Sequence, residues 1–268
     1  MTFHTGMMQH RFASFARAQA WPAEFRGKII RIIGAAGTQA ARMRSPGMPE
    51  NPSKPIRLKL LPLERYIGVD RKDPIRFYRL PVIGRLYQRR IELCLEQLEG
   101  GDSILEIGFG SGVSFPNLAE MYQHIHGLDL TADVVPIAKM FSEMGIHTQL
   151  KNGSVLELPY ADNQFDAVLL ISILEHLKPE DQPGAFAEIA RVLKPGGQLV
   201  YGVPVERPLM VFLFRLLGTD IRTHHFSTEE DVRQTAEKAF GKGLITPLRG
   251  PLGLFGQVYQ VGNFSKSA

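Results

Sequence analysis

Cysteine is almost missing from this chain of 268 residues. Cys94 stands alone, so no intrachain disulfide and no cysteine-based zinc site can form. A reducing compartment is compatible with that scarcity. No apolar run reaches the roughly 18 residues of a membrane span; the longest candidate, 209–214, is stopped by Arg215. The first 45 residues lack the apolar h-region of a secretory signal, and they hold one acid, Glu24, among several arginines. That texture is shared with transit peptides. What the chain does hold is 44% hydrophobic and 22% charged residues, enough apolar material for a sizeable core, which excludes disordered and collagen-like classes.

The net charge of +4 hides an uneven distribution. Residues 1–90 carry 18 Lys+Arg against 5 Asp+Glu, and the remainder carries 13 against 22. A basic arm on an acidic body points to an anionic partner: a membrane surface, a nucleic acid or the body itself. Residues 1–82 read as that arm, with a basic amphipathic helix at 25–43 and a proline-rich linker from about 46 to 62. Residues 83–263 read as one domain with a lid-like insertion at 204–223, followed by a tail, 264–268.

From residue 83 the chain alternates between helical and extended texture. Ile91, Cys94, Leu95 and Leu98 form one helical stripe closed by Gly100-Gly101. Short apolar runs predict strands at 103–107, 125–128, 147–151, 166–171 and 198–203, with helices between them, one of them over 114–122. Ser227-Thr228-Glu229-Glu230 reads as a capping box opening a last helix, and two further strands are expected near 244–248 and 258–261. The pattern predicts a doubly wound, Rossmann-like α/β fold: a mostly parallel seven-stranded sheet with an antiparallel edge strand and a basic N-terminal arm.

In such a sheet, ligands bind beyond the carboxyl ends of the strands. The first strand runs into Glu106-Ile107-Gly108-Phe109-Gly110-Ser111-Gly112, and Asp129 ends the next strand, 21 residues after Gly108. The glycines let the backbone approach a ligand, and a carboxylate at that spacing suits a ribose diol. A dinucleotide fingerprint would need its third glycine at 113, which is Val113. An acid before the glycines repels a pyrophosphate and welcomes a cation, and no Walker lysine follows. Charge therefore favours S-adenosyl-L-methionine over NAD or ATP.

These segments together resemble the class I S-adenosylmethionine-dependent methyltransferases, in the small-molecule group that includes quinone-biosynthesis enzymes. ILEIGFGSG (104–112), LPYADNQFDAVLLISILEHL (158–177) and ARVLKPGGQLVYGVP (190–204) carry the resemblance, which spans about 85–204. It implies that Glu106 and the backbone of Gly108, Gly110 and Gly112 surround the methionine part of the donor. Asp129 would hold the ribose, Leu130 would pack on the adenine, Ser154 and Val155 would edge it, and Ile171 and Ser172 would lie beside the transferred methyl. Where this group often has an aspartate, the chain has Ser154.

Methyl transfer needs a base only if the acceptor must lose a proton. His176, just past the fourth strand, is the candidate, with helix capping or packing as its other role. No metal is expected, since His224-His225 have no acids or thiols beside them. Cys94, in the middle of a helical stripe, reads as core and not as a nucleophile. The apolar insertion suggests a small, lipophilic or lipid-linked acceptor, and the basic arm a peripheral membrane contact on an otherwise cytoplasmic protein. Two readings remain open beside this one: an RNA methyltransferase whose arm grips phosphates, and a non-catalytic binder of the donor. Oligomeric state is not legible.

Overall fold

The computed structural model describes residues 55–66, 75, 78, 83–205, 226–250 and 256–267. The expected helix at 25–43, most of the insertion at 204–223 and His224-His225 lie outside the described residues. The chain divides into two units, Met1–Asn51 with Gly250–Gly256, and Pro52–Arg249 with Gln257–Ala268; all elements described here belong to the second.

Helix α1 (Ile83–Leu95) precedes strand β1 (Gly101–Ile107), then α2 (Phe115–Leu118), β2 (Tyr122–Asp129), α3 (Val134–Ser142) and β3 (Thr148–Asn152). The second half runs β4 (Phe165–Ile171), a 3-10 turn (Leu174–His176), α4 (Gln182–Val192), β5 (Leu193–Pro204), α5 (Glu229–Phe240), β6 (Leu244–Arg249) and β7 (Gln257–Ser265). The sheet order is β3-β2-β1-β4-β5-β7-β6. Strands β1 to β5 are parallel, and β7 runs antiparallel to both β5 and β6. The reversed strand therefore lies one place in from the edge, with β6 outside it.

The alternation of side chains explains the two-layered cover. Ile104, Ala167, Leu169 and Val200 face a core built with α1, α2 and α3. Leu105, Ile107, Val168 and Leu170 face the other, built with α4 and α5. A strand buried on both faces must be apolar at every position, which is why β4 reads as a continuous run. Among the described residues no helix is long and apolar enough to cross a membrane.

Three local outcomes differ from the sequence reading, each for a physical reason. The helix expected over 114–122 closes after Leu118, and Tyr122 already pairs with Gly101 as the first residue of β2. Its N-cap Ser114 spends its hydroxyl on Glu106, not on the helix amides. The capping box of α5 is shifted by one residue: Thr228 and Asp231 exchange side-chain to backbone bonds. Finally, Lys194-Pro195-Gly196-Gly197 is a bulge within β5, because Phe165 pairs with Leu193 but Ala167 already with Gln198.

The body also begins before the expected boundary at residue 83. Pro55 and Pro62 bracket a segment in neither helix nor strand, so its amides are free to find acceptors on the body. Ile56 and Leu58 donate to Glu96 and Glu92, each at 3.2 Å. Asn117 of α2 accepts from the Lys59 amide at 2.9 Å and donates to the Arg57 carbonyl at 2.9 Å. Ile56, Leu58 and Leu60 pack on the core beneath.

One buried group works against the fold at low pH. His126 lies between the rings of Tyr160 and Phe165, and its Nδ1 has no hydrogen-bond partner among the described residues. Burial first, then His124 and Lys151, hold this imidazole below the ordinary histidine value. An unfolded chain takes up the proton more readily, so this site costs stability as pH falls below about 6.5. His126→Phe is expected to lose less melting temperature than the wild type between pH 7.5 and 5, as followed by circular dichroism.

Candidate functional site

The strand order reverses between β1 and β4, and in a doubly wound sheet the carboxyl ends at such a reversal are where a ligand crevice is expected. The loop leaving β1 enters it with Gly108, Gly110 and Gly112 at φ of 74°, 53° and 73°. Such dihedrals are costly for residues with a Cβ. Two of these glycines serve the protein's own packing as well. A Cβ on Gly108 would fall 2.0 Å from Ile173 Cδ1, and one on Gly112 would fall 2.6 Å from Phe141 and 2.7 Å from Phe115.

Asp129 holds this loop to the end of β2. One carboxylate oxygen accepts from Gly110 N at 3.0 Å, and the other accepts from Thr131 N and Ala132 N, both at 2.9 Å. Three of about four acceptor positions are thus taken, which leaves one for a ligand hydroxyl. The backbone oxygen of Asp129 receives Gly153 N at 3.0 Å, which draws the end of β3 to the same place. Leu130, next in the chain, is 72% exposed, and Leu156, in the turn after β3, is 42% exposed.

Glu106 lies beneath the loop, only 3% exposed, and accepts the Ser114 hydroxyl. Burial, reinforced by the charge of Asp129 and opposed by Ser114, pushes its pKa up to about 8. The expectation of a standing negative charge here needs correction: at neutral pH this carboxyl is mostly protonated. A cation brought against it would pull the proton off.

The remaining site candidates separate in space. Ile171 ends β4, half-buried at the crevice. Ser154 accepts from Leu156 N at 3.2 Å and shapes the turn after β3. Val155 points into the core, and Gly112 contacts aromatic rings, so both support the site from within. His176 is exposed at the end of the 3-10 turn, its backbone amide on Ile173 O at 3.0 Å.

A clamp that pattern reading did not single out holds the loop after β3. Arg191 donates to the carbonyls of Leu158 and Tyr160 at 3.0 and 2.8 Å and forks onto Glu188 at 2.7 and 2.8 Å. Glu188 in turn accepts Leu158 N at 2.8 Å. The signal was available: Glu188 and Arg191 stand at i, i+3 on α4, and Arg191 lies inside a quoted motif.

Fold and loop define an α/β domain of the doubly wound class. A family described as "Methyltransferase domain" matches residues 105–201. A demethylmenaquinone methyltransferase of Tropheryma whipplei is 28% identical over 169 residues, 57% of this chain and 69% of the relative. A ubiquinone biosynthesis O-methyltransferase of Paraburkholderia xenovorans is 28% identical over 123 residues, covering 45% and 51% of the two chains. Among solved structures, the N-methyltransferase NodS of Bradyrhizobium japonicum, in complex with S-adenosyl-L-homocysteine, superposes with a TM-score of 0.57 at 20% identity. That alignment covers 77% of this chain and 97% of NodS. Residues 105–201 match this methyltransferase family, and the domain is that of an S-adenosylmethionine-dependent enzyme.

Two outcomes follow from the geometry. A raised acid costs stability once pH passes its unfolded value near 4.3, in full only above about 8. Glu106→Gln is therefore expected to gain on the wild type from pH 5 to 8.5 by at least about 1.4 kcal/mol, the equivalent of one pH unit, measured by urea unfolding. Arg191→Gln is expected to lower the melting temperature by a few degrees. It should also expose 153–163 to limited proteolysis, with intact loop protection counting against the clamp.

Proposed function

We propose that this enzyme methylates a small lipophilic acceptor, with the donor seated along the crevice from Asp129 to Ile171. The observation that carries the reading is the Asp129 carboxylate, bound to the glycine loop yet keeping one acceptor position, next to the exposed Leu130. That position suits a ribose hydroxyl, and Leu130 and Leu156 suit the faces and edge of an adenine. When bound, S-adenosylmethionine supplies an electrophilic methyl on a sulfonium, which passes to a nucleophile in line.

The chain's own groups orient and desolvate. Backbone at Gly108 and Gly110 would hold the methionine part, and Glu106 would ionise on meeting its cationic charge. Its proton passes to solvent, so donor binding carries a pH dependence that Glu106→Gln abolishes. Ser154 has a further lone pair for the adenine amino group beside the bond it already accepts. Ile171 and Ile173 keep water from the β4 end of the crevice. His176, exposed on the following turn, is the base for acceptors that must lose a proton.

Support for a lipophilic acceptor comes from the apolar insertion at 204–223 and from relatives whose names concern quinones. The basic arm then suits an anionic membrane surface on which such acceptors reside. Calorimetry with S-adenosylmethionine is expected to show binding that Asp129→Ala weakens at least tenfold. A wild-type chain that binds none would overturn the reading. For the arm, flotation of the full chain with anionic vesicles should fall steeply as salt rises; equal flotation with neutral vesicles would count against it.

A further inference from the structure

Ser172, the first residue beyond β4, has φ of 59°. The left-handed region is costly for a residue with a Cβ, so its neighbours must hold it there. Two bonds do so. Its amide donates to Gly202 O at 2.8 Å, and its hydroxyl pairs with the Tyr259 hydroxyl at 2.9 Å. The turn sends Ile173 back over the glycine loop, where it fills the space a Gly108 Cβ would need.

Tyr259 comes from β7, 87 residues further along the chain. It reaches Ser172 only because β5 carries a glycine beneath it: a Cβ on Gly202 would lie 2.6 Å from the Tyr259 Oη and 2.8 Å from Cys94 Sγ. The ring is buried and braced by Arg90, whose guanidinium lies 5.2 Å from its centre and 4.1 Å from that of Tyr87. Burial holds the phenol well above its ordinary pKa, so its proton stays available for the bond.

We propose that Tyr259 is a positioning residue for the donor site, holding Ser172 in the left-handed conformation that seats Ile173 on the glycine loop. The inference rests on the function proposed above for its meaning, but its mechanics can be read without the donor. If the hydroxyl pair serves only to hold that dihedral, glycine at 172 replaces it, because glycine adopts positive φ freely. A packing role for Tyr259, or a direct role of the hydroxyls in chemistry, permits no such rescue.

Four variants decide the matter: Tyr259→Phe, Ser172→Ala, Ser172→Gly and the double variant Tyr259→Phe with Ser172→Gly. Two readouts are taken on the full chain, amide hydrogen exchange across 108–112 without ligand, and the Kd for S-adenosylhomocysteine. Tyr259→Phe and Ser172→Ala are expected to speed loop exchange and weaken binding by about tenfold, the scale of an unfavourable left-handed residue. Ser172→Gly and the double variant should stay within about twofold of the wild type. Unchanged exchange in Tyr259→Phe, or a double variant as impaired as Tyr259→Phe alone, overturns the proposal. Should Tyr259→Phe not fold, the contrast between alanine and glycine at 172 decides in its place. A wild type that binds no S-adenosylhomocysteine sinks the functional reading, while the exchange data still judge this one.

Discussion

Everything at the crevice depends on one carboxylate accepting three backbone amides. Asp129 ties the glycine loop of β1 to the turn that follows β2, and its own carbonyl ties in β3. Bonds to a charged acceptor are stronger than neutral ones, roughly twofold, so this junction is the stiffest point of the edge. A loop of three glycines would otherwise be the loosest part of the molecule. The same side chain that can meet a ligand is thus the one that makes the binding loop a fixed object.

The neighbouring acid has the opposite character. Glu106 is nearly sealed, hydrogen-bonded to Ser114 and reluctant to ionise. Two carboxyls placed close together, one solvated by amides and one starved of water, divide the work. The first organises the backbone, and the second stays neutral until a positive charge arrives. Selectivity for a cationic donor can come from that conditional charge, since a neutral or anionic ligand offers nothing to offset the cost of ionisation.

Much of this was legible in the amino-acid order because it is written in local pattern. The continuous apolar run of β4 and the alternating texture around it identify a buried parallel sheet, and the spacing from Gly108 to Asp129 marks two adjacent strand ends. What pattern could not supply is anything set by contact across the fold. The neutral state of Glu106 depends on how deeply β1 is covered, which outweighs the bond from Ser114. The helix after the glycine loop stops early because Tyr122 is claimed by the sheet. Tyr259 meets Ser172 through a glycine on a third strand, a relation among positions 172, 202 and 259 that no short window holds. Residues 55–62 looked like linker because they close a proline-rich stretch, whereas their free amides are what fasten them to Glu92, Glu96 and Asn117.

That fastening has a mechanical corollary. The four residues of α2 are held on both sides, by Glu106 through Ser114 at the N-cap and by Arg57 and Lys59 through Asn117. One turn of helix thus joins the segment 55–62 to the acid under the glycine loop, with a single hydrogen-bonded residue on each side of the join.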